Sequence, residues 1–376
     1  MDILLANPFF YPYYGGTEKV LFEVGKRLAS GHSITVLTAR LDNTQEREEM
    51  DGMRVIRLPS MVLHSAPHPI PPPVPVLFNP GSWLKSNIND FDIVHVNNRF
   101  IFPPSFGSIA VRNNRKLCLT LHNARPERID PITDAFGSLF DDFFAKGLMR
   151  QCHGIAGVSD ATISATVPRD FRGIKTTIHN GVDHSTFAPR KSRKWKDRLG
   201  IGGKMVLTNV RLVQQKGVAY LIDAMRGIDA DLVVFGRGPL RPRLERQAKA
   251  AGVRAHFVSE RLDDMQLSGL YNAADCFAMP SLYDPCPLAL VEGMSCGLPC
   301  VVTDAGGMKE QVQDKKSGIV VPAANPAALA TAISRVLGDR RLGGSLGREA
   351  RKRVLGLFTW ERVAREYEAF YRTLLE

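Results

Sequence analysis

The sequence predicts an α/β protein built from two doubly wound, parallel-sheet domains in tandem. Short apolar runs rich in β-branched residues alternate with amphipathic segments of helical period along the whole chain. Nearly continuous apolar runs are typical of strands buried on both faces of a parallel sheet. The alternation forms two series, and a chain of 376 residues is too long for one ordinary domain.

The first series begins with a predicted strand at 2–7, a helix at 18–30 and a strand at 33–38. Further strands are predicted at 93–96, 117–121 and 154–158. The segment 66–80 contains seven prolines, so it predicts an extended or turn-rich insertion instead of a helix or a central strand.

The second series contains predicted strands at 204–210, 232–235, 255–258, 276–279 and 299–303. We place the domain boundary near Pro189, beside the charge cluster at 190–196. This predicts a first domain of residues 1–188 and a second domain of residues 189–358. The amphipathic stretch 359–376 is predicted to form a helix that packs back on the first domain.

The positive charge of the chain lies almost entirely in its second half. The net charge is +11, and residues 1–185 carry 19 Lys/Arg against 18 Asp/Glu, whereas residues 186–376 carry 30 against 20. A basic half suits nucleic acid, an anionic membrane or a phosphorylated small molecule. Composition does not choose among them.

Composition and termini also limit the class of protein. No run approaches the roughly 18 uncharged apolar residues of a membrane-spanning helix. Residues 1–8 carry an acid where a signal peptide has a basic residue, which predicts a soluble, cytoplasmic protein. The six cysteines lack zinc-site spacing, even at Cys296 and Cys300, and indicate reduced, mostly buried thiols.

A glycine pair follows the first predicted strand. Gly15 and Gly16 form the turn into the first helix, where the backbone can approach an anion and helix N–H groups are free. The third glycine of a dinucleotide fingerprint is missing, and no phosphate-binding G-x4-G-K-[ST] loop occurs. A redox cofactor and a P-loop nucleotidase are therefore disfavoured.

Two cations follow the strand at 204–210. Arg211 and Lys216 lie on a loop that opens a helix, which suits a diphosphate, with Arg as a planar fork and Lys as a point charge. The alternative interpretation is an ordinary solvated loop.

The segment 280–299 is the densest in candidate site residues. It follows a strand, turns on two prolines and opens a helix from Leu288, with Asp284 on the turn and Glu292 in the helix. Either acid alone is more often a cap or a solvated residue. Two acids beside a helix N-terminus in an apolar loop favour binding of a hydroxyl-rich ligand.

In its order of motifs the chain resembles the retaining glycosyltransferases of family four. The segment 284–299 resembles their E-P-F-G-x4-E-A-x-A-x-G-x-P signature, and 211–217 their R-L-x3-K-G motif. The family's glycine loop, V-S, N-G-V-D and G-G-x2-E motifs have counterparts at 15–18, 158–159, 180–183 and 306–310. With the C-terminal helix the resemblance covers nearly the whole chain.

The resemblance implies a GT-B fold, with two Rossmann-like domains that face each other across a cleft. The second domain would hold a nucleotide sugar as co-substrate, and the first would receive the acceptor. Carried over by position, Gly16 beside Gly15 would offer an N–H to the donor phosphate. Arg211 and Lys216 would neutralise the diphosphate.

The remaining implied roles concern the sugar and the ribose. Asp284 would contact the hydroxyls of the transferred sugar, with His122 beside that sugar, and Glu292 would hold the ribose hydroxyls. Cys286, Pro287 and Leu288 complete the implied donor-binding loop. Alternatively, His122 is a structural histidine whose ring nitrogens are hydrogen-bonded within the protein and which does not contact the sugar.

The chain departs from the family motifs at three positions. Asp284 is one methylene shorter than the usual Glu, and Pro287 replaces a glycine and so removes an N–H. Arg237 lies on a loop that is often acidic. The first two departures leave the transferred sugar open, and the third makes the local field more positive.

The sequence favours a reaction without a metal. Glycosyltransferases of the other major fold bind Mn²⁺ through a D-x-D motif, and this chain has such strings at 90–92 and 229–231. Both precede predicted strands, so they lie at the amino edge of a sheet, away from the ligand side. We interpret them as surface caps and expect no cofactor.

The predicted activity is a metal-independent, retaining hexosyl transfer from a nucleotide-diphosphate sugar to a glycan or lipid-linked acceptor. A nucleotide-sugar enzyme of the same fold, such as a 2-epimerase, is one alternative. A basic nucleic-acid-binding protein is another, but the Lys and Arg residues are dispersed and no RNA-module aromatic signature occurs. We therefore expect no nucleic-acid partner.

An apolar stripe at 132–149 raises the question of whether the protein contacts a membrane. Its members, at helical spacing, are Phe136, Leu139, Phe140, Phe143, Phe144 and Leu148. The acidic residues Asp134, Asp141 and Asp142 on the same segment would be repelled by anionic lipid. Packing in the core is therefore favoured over a helix that contacts the cytoplasmic face of a membrane.

Overall fold

The computed structural model of the chain describes residues 1–63, 74–99, 102, 104–123 and 131–376. They form two compact units, and each contains its own sheet. Unit 1 comprises Met1–His179 and Trp360–Glu376, and unit 2 comprises Asn180–Thr359.

The secondary structure alternates between strands and helices in both units. The strands are β1 (Asp2–Ala6), β2 (Ser33–Ala39), β3 (Arg47–Met50), β4 (Met53–Leu58), β5 (Ser60–Leu63), β6 (Val74–Leu77), β7 (Ile93–Val96), β8 (Lys116–Leu121), β9 (Gly154–Gly157), β10 (Ile174–Thr177), β11 (Met205–Asn209), β12 (Asp231–Phe235), β13 (Ala255–Val258), β14 (Cys276–Met279), β15 (Cys300–Thr303) and β16 (Ile319–Val321). The helices are α1 (Gly16–Leu28), α2 (Pro80–Asn87), α3 (Pro104–Arg112), α4 (Pro131–Phe140), α5 (Lys146–Gln151), α6 (Asp160–Thr166), α7 (Lys194–Leu199), α8 (Val218–Ala224), α9 (Arg241–Ala250), α10 (Asp264–Ala273), α11 (Leu288–Ser295), α12 (Met308–Gln311), α13 (Pro326–Gly338), α14 (Arg340–Leu357) and α15 (Trp360–Leu375). Short 3₁₀ turns occur at Ile88–Asp90 and Gln214–Lys216, and a π-helical turn at Asp141–Ala145.

Unit 1 contains an eight-stranded sheet in the order β10-β9-β8-β7-β1-β2-β4-β3. Its neighbouring strands are parallel except for β3, which pairs antiparallel with β4. Strands β5 and β6 form a separate antiparallel pair. Residues 66–73 of the predicted proline-rich insertion lie outside the described residues, its next four residues form β6, and its last residue, Pro80, begins α2.

Helix α15 packs in unit 1, on the sheet face that α1 also covers. Its buried side includes Trp360, Phe370 and Leu374. A Cβ at Gly154 on β9 would lie 2.7 Å from side-chain atoms of both Phe370 and Leu374, so the glycine allows this close packing. Arg27 on α1 also donates to Glu361 at 2.8 Å.

A buried polar network joins α15 to the sheet. The ring of His95 on β7 hydrogen-bonds the Tyr371 hydroxyl through Nδ1 at 2.6 Å and the Thr120 hydroxyl through Nε2 at 2.8 Å. The Tyr367 hydroxyl lies 3.2 Å from Thr120 Oγ1. Burial lowers the pKa of His95 to about 3, so the ring is neutral at physiological pH.

Unit 2 contains a six-stranded, all-parallel sheet in the order β13-β12-β11-β14-β15-β16. The strand order reverses between β11 and β14, which makes this a doubly wound sheet with a switch point at those two strands. Fully buried apolar side chains such as Leu207, Phe277 and Val301 form its core. Parallel strands covered by helices on both faces need this apolar composition.

The division between the units comes after His179, nine residues earlier than the predicted boundary near Pro189. The segment from Asn180 packs with unit 2, because the Asn180 side chain donates to the Cys286 carbonyl at 2.7 Å. Phe187 is fully buried in the core of unit 2. The proline and the charge cluster therefore lie within unit 2, where the cluster runs into α7, and the unit boundary precedes both.

The prediction that the apolar stripe at 132–149 packs in the core is wrong for half of its members. Leu139 is 58% exposed, Phe143 73% and Phe144 56%, whereas Leu148 is buried and Phe140 half-buried. The Phe136 side chain is not among the side chains that the structure describes. A π-helical turn at Asp141–Ala145 adds a residue to the turn, so the stripe expected from an α-helical period does not stay on one face.

Two further expectations concern cysteines and membranes. All six cysteines are buried free thiols, as predicted. In the part of the chain that the structure describes, no helix is long and apolar enough to cross a membrane.

Candidate active site

Three loops of unit 2 meet at the carboxyl ends of neighbouring strands. They follow β11, β14 and β15, and backbone hydrogen bonds join them. Leu282 N–H donates to the Gln215 carbonyl at 2.8 Å, and Gly307 N–H donates to the Asp284 carbonyl at 3.0 Å. The loop with the two prolines is therefore held from both sides, with Asp284 at the centre.

Two glycines allow these loops to touch. Gly217 has a φ of +63°, and a Cβ there would lie 2.1 Å from the Pro280 carbonyl oxygen. Gly306 has a φ of +64°, and its Cβ would lie 2.2 Å from the Asp284 carbonyl oxygen. Both positions exclude a side chain because the opposing atoms belong to the backbone.

Lys216 and Asp284, predicted to serve the diphosphate and the sugar, pair with each other. The Lys216 ammonium donates to the Asp284 carboxylate, and the two side chains are 12% and 9% exposed. Lys216 ends the 3₁₀ turn after β11, and Asp284 lies on the loop after β14. Two strands that are far apart in sequence thus bring the pair together.

Arg211 lies on the same loop as Lys216 but is exposed. Among the described residues, its guanidinium has neither a hydrogen bond nor an ion pair. It therefore remains available to an anion at this edge of the sheet. Arg237 on the neighbouring loop is also exposed and donates to the Ser259 carbonyl at 2.5 Å.

Glu292 lies inside unit 2, where a tyrosine holds its carboxylate. Glu292 is 5% exposed, and the Tyr271 hydroxyl lies 3.0 Å from Glu292 Oε2 and 3.0 Å from the Ala289 carbonyl oxygen. Asn209, at the end of β11, donates to the same hydroxyl at 2.9 Å. Burial, and then the Glu292 charge, raise the pKa of Tyr271, so the hydroxyl remains a donor.

The residues between Asp284 and the helix have different orientations. The Cys286 thiol is buried and accepts from Asn180 N–H at 3.3 Å and from the Gln311 side chain at 3.1 Å. Burial raises the pKa of Cys286, so it is a neutral thiol. Pro287 is the residue before α11, which begins at Leu288 as predicted.

In unit 1 the glycine turn and an acidic side chain lie together at the start of α1. The helix begins at Gly16, and a Cβ at Gly15 would lie 2.2 Å from Glu18 Oε2. Glu18 is 8% exposed and accepts from the Asn7 side chain at 3.4 Å. Burial raises the pKa of Glu18, which favours its neutral form beside a turn predicted to receive an anion.

His122 follows β8 directly, at the carboxyl edge of the unit 1 sheet. Its Nε2 atom is buried and has no hydrogen-bond partner in the described structure. Burial lowers the pKa of His122 to about 4, so the ring is neutral at pH 7.

The two D-x-D strings lie where strands begin. Asp92, directly before β7, accepts from Asp2 N–H at 2.9 Å. Asp231 begins β12 and pairs with Arg254 at 3.2 Å, and Asp229 pairs with the same guanidinium at 2.9 Å. Within residues 1–63, 74–99, 102, 104–123 and 131–376, no group of three or more His, Cys, Asp or Glu residues is arranged to hold a metal ion.

Two residues that contribute to the unit 2 site, Asn209 and Tyr271, are not among those predicted from the sequence. Asn209 is the last residue of β11, and a polar residue ending a buried strand is a signal that can be read from sequence. Tyr271 lies on α10, in a pattern of core residues, and nothing local connects it to Glu292. Only the packing of α10 against α11 reveals it.

Comparison with protein families gives two matches that together span most of the chain. Residues 14–186 match the model described as Glycosyltransferase Family 4, and residues 191–353 match Glycosyl transferases group 1. The chain belongs to the family-four type of glycosyltransferases. The enzyme is thus a hexosyltransferase, and the predicted family is confirmed.

Relatives and solved structures agree with this assignment. An uncharacterized glycosyltransferase of Methanocaldococcus jannaschii is 27% identical, over 92% of this chain and 91% of the relative. A GDP-mannose-dependent alpha-(1-6)-phosphatidylinositol monomannoside mannosyltransferase of Mycolicibacterium smegmatis is 26% identical, over 95% of each chain. Sucrose-phosphate synthase from Thermosynechococcus elongatus superposes with a TM-score of 0.78 at 22% identity, over 99% of this chain and 98% of the other. The predicted GT-B fold is therefore confirmed.

Proposed function

We propose that the enzyme moves a hexosyl group from a nucleotide-diphosphate sugar to a hydroxyl of a glycan or lipid-linked acceptor, with retention and without a metal. The observation that carries the proposal is the Lys216–Asp284 pair, on loops that also carry the exposed Arg211. Two cations at the carboxyl edge of a doubly wound sheet suit the diphosphate of the donor.

Donor binding rearranges the pair in this proposal. The diphosphate takes Lys216 as its counter-ion, and Asp284 is released to accept hydrogen bonds from hydroxyls of the transferred sugar. Arg211 and Lys216 then lie where negative charge grows as the nucleotide leaves, which is where binding energy accelerates the reaction. Cys286, Pro287 and Leu288 shape the loop around the sugar.

Glu292 holds the ribose hydroxyls of the nucleotide. A carboxylate accepts from hydroxyls, and Tyr271 fixes its orientation through Oε2 at 3.0 Å. The turn at Gly15 and Gly16 offers N–H groups to an anionic part of the substrate, and His122 contacts the sugar as a neutral ring.

Retention is assigned to attack on the face from which the nucleotide leaves. The bond from the anomeric carbon to the diphosphate oxygen breaks, and a bond to the acceptor oxygen forms. The acceptor proton passes to an oxygen of the leaving diphosphate. We assign no nucleophile to Asp284, because its carboxylate is committed to Lys216 or to sugar hydroxyls.

Metal independence rests on the available charges. Arg211, Lys216 and the N-terminus of α11 supply positive charge to the diphosphate. Both D-x-D strings lie at the opposite, amino edge of their sheets, and Asp231 is already paired with Arg254.

The acceptor class draws support from the relatives and from the surface of unit 1. One similar protein is a mannosyltransferase named for GDP-mannose and a phosphatidylinositol mannoside. Ile132, Leu139, Phe143 and Phe144 are all more than half exposed, at 61%, 58%, 73% and 56%. We propose that this aromatic surface touches the membrane face when the acceptor is lipid-linked.

Nucleotide release tests the proposal. UDP-, GDP- and ADP-sugars are incubated with the purified enzyme in EDTA, with and without methyl and octyl glycosides as acceptors. Acceptor-stimulated release from one donor is expected. Release that needs added Mn²⁺ would overturn the metal-free mechanism, and conversion of the sugar without an acceptor would replace transfer by epimerisation.

A further inference from the structure

The loop between Asp284 and α11 takes its hydrogen-bond donors from other segments of unit 2. Pro285 and Pro287 lie on either side of Cys286, and a proline has no backbone N–H, so the loop forms few hydrogen bonds of its own. The Asp284 carbonyl accepts from Gly307 N–H at 3.0 Å. The donors that reach Cys286 and Pro287 are side chains, and they lie on two further segments.

Asn180, the first residue of unit 2, is one of these donors. It is 8% exposed, and its side chain donates to the Cys286 carbonyl at 2.7 Å. Its backbone N–H donates to Cys286 Sγ at 3.3 Å. Two positions further along, Val182 N–H donates to the carbonyl of Phe358, directly after α14, at 2.9 Å. The segment that begins unit 2 is therefore bonded both to the end of α14 and to the loop.

Gln311, the last residue of α12, is the other donor. It is fully buried, and its side chain donates to Cys286 Sγ at 3.1 Å and lies 3.4 Å from the Pro287 carbonyl oxygen. The Gln311 carbonyl in turn accepts from the Arg353 guanidinium at 2.7 Å. Arg353 belongs to α14, so both segments that hold the loop are themselves bonded to the C-terminal part of that helix.

Cys286 is the point at which the two donors meet. It is 4% exposed, and it accepts hydrogen bonds at its sulfur and at its carbonyl oxygen. Asp284 precedes it by two residues, so a displacement of Cys286 would also move the carboxylate that we propose contacts the sugar. Glu292, at the proposed ribose end of the donor, is held from a different helix, by Tyr271 on α10. The sugar end and the ribose end therefore have separate supports.

We propose that Asn180 and Gln311 are positioning residues for the transferred sugar, because they hold the loop at Cys286 and so fix the place of Asp284. The inference rests on the proposed function, since that function gives Asp284 its contact with the sugar. Loss of either donor disturbs the sugar end of the donor site and leaves the nucleotide end intact.

Three measurements on the full-length enzyme test this assignment in Asn180→Ala and Gln311→Ala. Kinetics with the nucleotide sugar that the wild type uses give kcat and KM, and calorimetry gives the affinity for the free nucleotide. Alkylation by iodoacetamide, followed by peptide mass spectrometry, reports the accessibility of Cys286, with the other five buried free thiols as the internal reference. Gln313→Ala, at an exposed position two residues after Gln311, is the control.

We expect each variant to lower kcat/KM roughly tenfold, the effect of losing one buried hydrogen bond, while nucleotide affinity stays within about twofold. Alkylation of Cys286 is expected to be roughly tenfold faster than in the wild type, because the loop opens more often, with the other five cysteines unchanged. Gln313→Ala should match the wild type in all three measurements.

Three results would overturn the inference while transfer by the wild type upholds the proposed function. They are an unchanged kcat/KM in both variants, an unchanged alkylation rate of Cys286, and a loss of nucleotide affinity as large as the loss of kcat/KM, which would indicate a general structural role. If the wild type binds no nucleotide and transfers no sugar, both proposals fall. If Asn180→Ala does not fold, Asn180→Ser and Gln311→Ala decide by the same criteria.

Discussion

Lys216 and Asp284 form an ion pair on two loops of unit 2 that 67 intervening residues separate in sequence, at the switch point of a parallel sheet. The pair explains how two groups of opposite charge, which we propose bind the substrate, can be buried before a donor arrives. Each neutralises the other, since an isolated buried charge is costly. In the proposed reaction, the diphosphate of the donor pairs with Lys216 and the hydroxyls of its sugar pair with Asp284.

Lys216→Ala is expected to lower turnover on the order of 100-fold, because the leaving diphosphate loses its counter-charge. Donor kinetics with nucleotide release measure this, with Lys249→Ala at an exposed position as the control. Wild-type turnover in a folded Lys216→Ala protein would remove the diphosphate assignment.

The same variant is expected to lower the free energy of unfolding by about 2 kcal/mol, because it leaves the Asp284 carboxylate buried and unpaired. The double variant Lys216→Ala/Asp284→Ala should recover part of that loss in urea unfolding. Strict additivity of the two single changes would show that the pair carries no coupling energy.

Tyr271→Phe is expected to raise KM for the nucleotide sugar roughly tenfold with little change in kcat, because Glu292 loses the donor that orients it. Calorimetry with the free nucleotide should show the same loss of affinity. Tyr220→Phe, on α8 of the same unit, is the control. An unchanged nucleotide affinity would leave Tyr271 with a packing role only.

Gly217→Ala should destabilise unit 2 far more than Gly200→Ala, although both glycines have positive φ angles, +63° and +69°. At Gly200 a Cβ meets nothing within 4 Å, so the expected cost is about 1 kcal/mol of backbone strain. At Gly217 the Cβ meets the Pro280 carbonyl, and the cost is expected to exceed about 3 kcal/mol. Equal unfolding midpoints would show that the loops move apart without cost.

Low pH is expected to lower the free energy of unfolding of unit 1, because His95 is buried as a neutral ring. Its pKa is about 3 in the folded state against 6.5 as the ordinary value, so the unfolded chain takes up the proton first. The stabilisation is complete above pH 6.5 and is lost as the pH falls from 6.5 towards 3. At pH 5 the loss from His95 is about 2 kcal/mol.

Urea unfolding at pH 7.5 and pH 5.0 measures this dependence, with His95→Gln as the comparison, since glutamine does not titrate. A smaller difference between the two pH values is expected in the variant. The same pH dependence in both proteins would locate the acid sensitivity elsewhere.

The exposed aromatic surface of unit 1 predicts vesicle binding. Phe143→Ser combined with Phe144→Ser should reduce co-sedimentation with zwitterionic phosphatidylcholine vesicles about tenfold, because the apolar area that enters the interface is lost. Met265→Ser, a similarly exposed apolar position in unit 2 at 57%, is the control. Equal binding by the double variant and the wild type would exclude this surface.

The sequence by itself determined the fold class, the family and the positions of the motif residues. Apolar runs of strand length at 93–96 and 276–279 gave strands with those bounds, because a strand buried on both faces admits almost no polar residue. The motifs at strand ends could be recognised in the sequence for a related reason, because glycines, prolines and charged residues interrupt the apolar runs there.

Only the tertiary structure decided which of these residues meet. The Lys216–Asp284 pair depends on strand order, and the contact of Tyr271 with Glu292 depends on the packing of α10 against α11. Both are non-local properties. The same holds for the unit boundary at His179, which follows the packing of Asn180 and Phe187, and for Phe143 and Phe144, which a π-helical turn places at the surface. Local patterns record burial, whereas neighbours across a sheet are selected by packing among segments far apart in the chain.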